Sequence, residues 1–221
     1  IATPNQFIRT KFVNFPFGGG TLNTLKYDKS KSVSRYNCFH GTTRTVANIV
    51  KDTSKFQYNF RNDHWLGNGI YFFIEDYDKA KWWAKTLARR ERKSKASVIS
   101  LVATIQRNKI LDLDAEKERK DFYQFVLDFI AANPVIEGLD FTYTSSPSDE
   151  NIDMNEAKLR CFMLDLIQKI NNYDACKYTF VDDKLTYSLP NVNSSLIRNN
   201  GVQLCIYNQS VIDFSTLQIF R

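Results

Sequence analysis

Twenty residues, Trp65 to Ala84 (WLGNGIYFFIEDYDKAKWWA), constrain the fold more than any other stretch of the chain. They read as loop, strand, turn and helix, in that order. Gly67 and Gly69 bracket Asn68, a turn signal that also lets backbone come close to a ligand. Ile70 to Ile74 is a short run of β-branched and aromatic residues, the pattern of a buried strand. Polar Glu75 to Asp78 opens a helix, with Asp78 its predicted N-cap. Ala80, Trp83, Ala84 and Leu87 then recur at i, i+3, i+4 and i+7, an apolar face whose two alanines permit close approach to a sheet. Tyr71 begins the strand beside the glycines, where a flat ligand could lie on its ring. The plain alternative is a tyrosine in a core strand.

A second stretch, Arg35 to Val50 (RYNCFHGTTRTVANIV), reads as a strand ending at His40, a turn at Gly41, and a helix carrying Val46, Ile49 and Val50, which Thr42 or Thr43 can cap. A histidine at a strand end is most often structural. This one is one of only two in 221 residues, and Gly-Thr follows it.

Together the two stretches resemble the ADP-ribosyltransferases of the diphtheria-toxin and poly-ADP-ribose-polymerase type. That family carries His-Gly-Ser/Thr at the end of its first catalytic strand and a Gly-x-Gly-Ile-Tyr-Phe strand a few tens of residues later. Here the matching residues are His40-Gly41-Thr42 and Gly67-Asn68-Gly69-Ile70-Tyr71-Phe72. The resemblance implies an α+β fold, a split mixed β-sheet core around an NAD cleft with flanking helices. It implies that His40 binds a ribose hydroxyl of NAD and that the backbone at Gly41, with Thr42 and Gly69 beside it, holds the nicotinamide end. Tyr71 would stack on the nicotinamide, with Trp83, or alternatively Trp82, closing the other side. The family's third motif opens a strand with a catalytic Glu. Laid on that pattern, Gly201 to Tyr207 (GVQLCIY) puts Gln203 where the Glu belongs, and Gln209 is a weaker match.

The rest of the chain fits one domain over residues 1–221 with a helical insertion near 115–172. Hydrophobic content of 43% is enough for a sizeable core. No apolar run reaches the roughly 18–20 residues of a membrane span. No signal-peptide pattern is visible, and the start at Ile1 suggests a trimmed chain or a piece of a longer one. Four scattered cysteines without a CxxC disfavour zinc and redox sites and fit a reducing compartment. The expectation is therefore a cytoplasmic protein, or one delivered into a target cell's cytoplasm, that needs no metal. Gly18 to Gly20 lacks the spacing and the lysine of a phosphate loop and reads as a turn. In the loop 51–64, Asn59, Arg61 and Asn62 could contact a diphosphate, or simply face solvent. Lys81, Lys85, Arg89 and Arg92 share a face opposite the apolar one: a solvated surface or a contact for a phosphate backbone. A net charge of +6 favours anionic partners without choosing among them.

Cleaving the nicotinamide–ribose bond develops positive charge on the ribose, so the chemistry needs a hydroxyl clamp, an aromatic slot and nearby negative charge. Gln203 can hydrogen-bond a hydroxyl but brings no charge. Glu75 and Asp76 are the nearest acids in sequence. The expectation is transfer of single ADP-ribose units from NAD to a macromolecular acceptor, RNA or DNA ahead of protein. A non-catalytic NAD- or ADP-ribose-binding module and a nucleic-acid-binding protein are the alternatives.

Overall fold

The computed structural model describes residues 32–91, 95–132, 150–188 and 195–221, with side chains omitted for 150–155, 182–188 and 195–200. Gly18 to Gly20, Arg92 and the Leu189-Pro190 connection lie outside these residues. Among the described residues the elements are β1 (Val33–Thr43), α1 (Arg44–Thr53), β2 (Ile70–Ile74), α2 (Tyr77–Arg90), β3 (Ala96–Gln106), β4 (Ile110–Asp112), α3 (Glu116–Ala132), α4 (Glu150–Asn171), β5 (Ala175–Ser188), β6 (Ser195–Ile206) and β7 (Ile212–Phe220). The fold is α+β. One seven-stranded mixed sheet has the order β4-β5-β6-β2-β1-β3-β7. The β4–β5 pair is parallel and the other pairs are antiparallel.

Directly opposed residues in a ladder share a face, so the register assigns each side chain. One face carries Cys38, Ile70, Phe72, Ile99, Leu101, Leu204 and Ile206, buried with Ala47 and Val50 of α1 and with Phe56. Each such large side chain stabilises the fold by about 1.5–3 kcal/mol. On the other face α2 lays Ala80 and Ala84 against Phe39, Phe73 and Val98. Beside it, Leu164 and Ile167 of α4 cover Cys176 and Cys205, and α3 packs on α4 through Phe129, Met163 and Leu166.

Three local expectations change. Gly41 does not turn: it stays in β1 opposite Val98, because β3 continues as a partner to Ala96, and the helix begins only at Arg44. On α1 the inward face is Ala47 and Val50, while Val46 and Ile49 stand exposed. The cap of α2 is Asp76, whose carboxylate accepts from the Lys79 backbone N–H at 2.9 Å, and Asp78 falls in the first turn. Among the described residues no helix is long and apolar enough to cross a membrane.

Candidate functional site

The sheet parts in one place. β1 and β2 pair only through Cys38–Ile74 and Phe39–Phe73. Beyond that point β1 runs on to Thr43 with β3 alone, and β2 runs back to Ile70 with β6 alone. His40 is the first residue past the last pair. Its Nδ1 lies 2.8 Å from the Tyr71 carbonyl, across the gap. A carbonyl can only accept, so Nδ1 carries the proton and Nε2 of the neutral ring is an acceptor. No described residue partners Nε2. Phe56 and Phe72 flank the ring with centroids 5.3 and 5.7 Å away. Burial, only partly offset by the Tyr71 carbonyl, holds the imidazole below its usual 6.5.

Gly41 is required by packing. A β-carbon there would stand 2.0 Å from the Ala80 carbonyl oxygen, so any side chain would push α2 off the sheet. Thr42 and Thr43 are both buried, and Thr43, at the N-cap of α1, makes no side-chain capping bond. Gly69 likewise admits a neighbour: a β-carbon would meet Cys205 Sγ and the Ile206 carbonyl at 2.7 Å. Gly67 has φ +76, and a side chain there would strike the Asp165 carboxylate. The glycines of this motif thus bring backbone close to strand and helix neighbours.

Tyr71 is gripped from three directions. Its hydroxyl accepts from Leu66 N–H at 2.7 Å and donates to the Gly67 carbonyl at 2.8 Å. Burial pushes that hydroxyl far above its usual range. On its ring lies His64, with centroids 5.6 Å apart and planes 29° apart. Both histidines of the chain therefore engage the same tyrosine, one through the backbone and one through the ring. The His64 ring also makes a 3.3 Å contact with the Asn59 carbonyl.

Gln203 stands opposite Phe73 on β6, and Cys205 stands opposite Tyr71, so Gln203 shares a sheet face with Tyr71 and Phe73. Its amide has no partner among the described residues. Lys79 of α2 reaches this face. Its Nζ lies 3.2 Å from where a β-carbon on Gly201 would stand, two residues from Gln203. Trp83, four residues further along α2, occupies the same flank of the helix and is 38% exposed, with Trp82 6.1 Å away.

The other expected polar residues are engaged elsewhere. Arg61 is exposed and pairs with Asp63 through two bonds of 2.9 and 2.7 Å. Glu75 accepts from Asn37 at 2.7 Å, Asp76 caps α2, and Gln209 clamps both backbone polar groups of Phe56. All four thiols are buried, and burial pushes Cys38 up to about 12 and Cys161 up to about 11, so neither is a nucleophile. Among the described residues no group of His, Cys, Asp and Glu could hold a metal.

Several residues that shape the site carry no local sequence signal. Asp165 of α4 accepts from Asn68 N at 2.7 Å and from Asn68 Nδ2 at 2.6 Å, tying the glycine loop to a helix 97 positions away. His64 and Lys79 reach the site only through the docking of the loop and α2.

No family model matches the chain, and no solved structure matches it. The uncharacterized protein MJ0359 of Methanocaldococcus jannaschii is 25% identical over 195 residues, covering 82% of this chain and 86% of its own length.

Proposed function

We propose that this protein is an ADP-ribosyltransferase that cleaves NAD and passes single ADP-ribose units to a macromolecular acceptor, with nucleic acid preferred to protein. The observation that carries the reading is the parting of β1 from β2 at His40, with Nδ1 fixed on the Tyr71 carbonyl and Nε2 left as an unpartnered acceptor. The reading takes this gap as the NAD cleft that the motif resemblance implies. Nε2 would take a ribose hydroxyl from the Phe72 face, while Gln203, on the opposite face beside Tyr71, would approach the same NAD from the other side of the gap. Trp83 supplies an exposed aromatic wall. Nicotinamide reaches the Tyr71 ring when His64 leaves it, a movement opposed by one long exposed hydrogen bond and the ring contact.

Gln203 sets the rate. A carboxylate ~4 Å from the developing cation is worth roughly 4 kcal/mol at an effective dielectric near 20. Its absence costs about a thousandfold. The missing acid is also the group that in the family activates an ADP-ribose hydroxyl for chain growth, so transfer stops at one unit. Neither Glu75 nor Asp76 substitutes, since one carboxylate is held by Asn37 and the other by the Lys79 N–H.

The Lys79 ammonium beside Gly201 favours a second reading, a module that binds NAD or ADP-ribose without turnover, because a cation near the ribose opposes charge development there. Incubation with nicotinamide-labelled NAD in the presence of RNA, DNA or protein separates the two. A transferase releases free nicotinamide and adds one ADP-ribose mass to an acceptor. Binding without nicotinamide release leaves the module.

A further inference from the structure

On the sheet face that α2 and α4 cover, a row of cations and aromatic rings runs past the strand of Gln203. The Lys79 ammonium lies against Gly201 of β6 with no ion-pair partner among the described residues. Phe180 stands directly opposite Gly201 on β5. Trp65 packs edge-on against Phe180 at 5.6 Å, is 60% exposed, and has the Arg160 guanidinium 5.3 Å from its ring centroid. Arg160 Nε is buried with no hydrogen-bond partner among the described residues. A line of cation, glycine and aromatic rings thus crosses the sheet from α2 to α4.

We propose that this surface binds single-stranded nucleic acid, a backbone phosphate resting on Lys79 and a base on Trp65, so that the acceptor strand lies beside Gln203. Its role as acceptor rests on the transferase reading; its binding does not. On α2 the surface continues through Trp83, one turn on from Lys79 and 38% exposed, whereas Lys81 turns away to the Tyr77 ring beside Phe220 of β7. Interleaved cations and open aromatic faces are how proteins hold single strands, since every unpaired base offers a ring face and every nucleotide a phosphate. In a duplex those ring faces are stacked and hidden, so Trp65 and Trp83 select unpaired strands. An acidic peptide would use the cations and leave the exposed rings idle.

The test uses the whole chain and a fluorescein-labelled oligonucleotide, as single-stranded RNA, as single-stranded DNA and as duplex, with poly-glutamate as competitor. Single strands bind at least about tenfold tighter than duplex. Trp65→Ala weakens single-strand binding by about tenfold, Trp65→Phe restores most of it, and Lys79→Ala flattens the salt dependence by about 0.7 in log–log slope, one phosphate contact. Thermal melts show that each variant is folded. Wild-type binding by both Trp65→Ala and Lys79→Ala, equal affinity for duplex, or poly-glutamate binding as tightly as the oligonucleotide would overturn the inference. If nicotinamide is released from NAD but no single strand binds, the inference falls alone. If single strands bind as described but no nicotinamide is ever released, the transferase reading falls and the binding surface stands.

Discussion

Two regions of the sheet handle polar side chains in opposite ways. At the β4–β5 end, Lys177 bonds Asp112 at 2.9 Å and Asp114 at 2.6 Å, and Asp114 also accepts from Thr179 N and Thr179 Oγ1, each at 2.8 Å. Glu118 accepts from the Asp112 backbone N–H. Burial opposes the charge on Asp114, but the bonds from Lys177 and Thr179 prevail and hold its carboxyl below the usual 3.8. Against burial, its bonds to Asp114 and Asp112 raise Lys177 above its usual value. Around the β1–β2 parting, His40 Nε2 on one face and, on the other, the Gln203 amide and the Lys79 ammonium beside it have no partner among the described residues. A closed network stabilises the fold; open donors and acceptors at a break in the ladder are capacity left for something that binds.

The largest expected effect comes from closing the chemical gap at the parting. On the proposed transferase reading, Gln203→Glu supplies negative charge beside the ribose, and nicotinamide release from NAD should rise by up to about a thousandfold. An unchanged rate would mean that no cation develops near that side chain. Next, Asp114→Ala should destabilise the protein by about 2–3 kcal/mol, read from the urea midpoint, because it leaves the Thr179 N–H unpaired and Lys177 half-compensated. Gln203→Ala, at the open end, should cost stability little. Equal losses at the two positions would erase the contrast between them.

His40→Ala should weaken NAD binding or turnover by about 1–3 kcal/mol, the cost of stranding a buried hydroxyl. The histidine also predicts a pH effect. Its folded value lies below 6.5, so the unfolded chain takes up the proton first as pH falls. Its stabilising contribution is therefore complete above pH 6.5 and erodes below it, toward the depressed folded value. Melting temperature should fall less between pH 7 and 5 in His40→Gln than in wild type; parallel curves would show that the ring is not held neutral. The smallest effect is at His64. Removing the ring that occupies Tyr71 should tighten NAD binding a few-fold, since the open site no longer competes with its own side chain. Weaker binding by His64→Ala would instead make His64 part of the ligand's own contacts.

What the sequence determined by itself was local: the buried strand Ile70–Ile74, the helix behind it with Ala80 and Ala84 turned inward, and the strand carrying Gln203. Each is written in spacings of two or of three and four residues, which the backbone's own geometry imposes. The β1–β2 parting, the placing of Gln203 on the Tyr71 face, and the capture of Tyr71 by His64 were decided only by the tertiary structure. So were the Asp165 anchor, the Gln209 clamp 153 positions from Phe56, and the Lys79 ammonium over Gly201. Those contacts join segments whose separation along the chain leaves no periodic trace, and which partner each polar group finds depends on how helices and loops dock on the finished sheet.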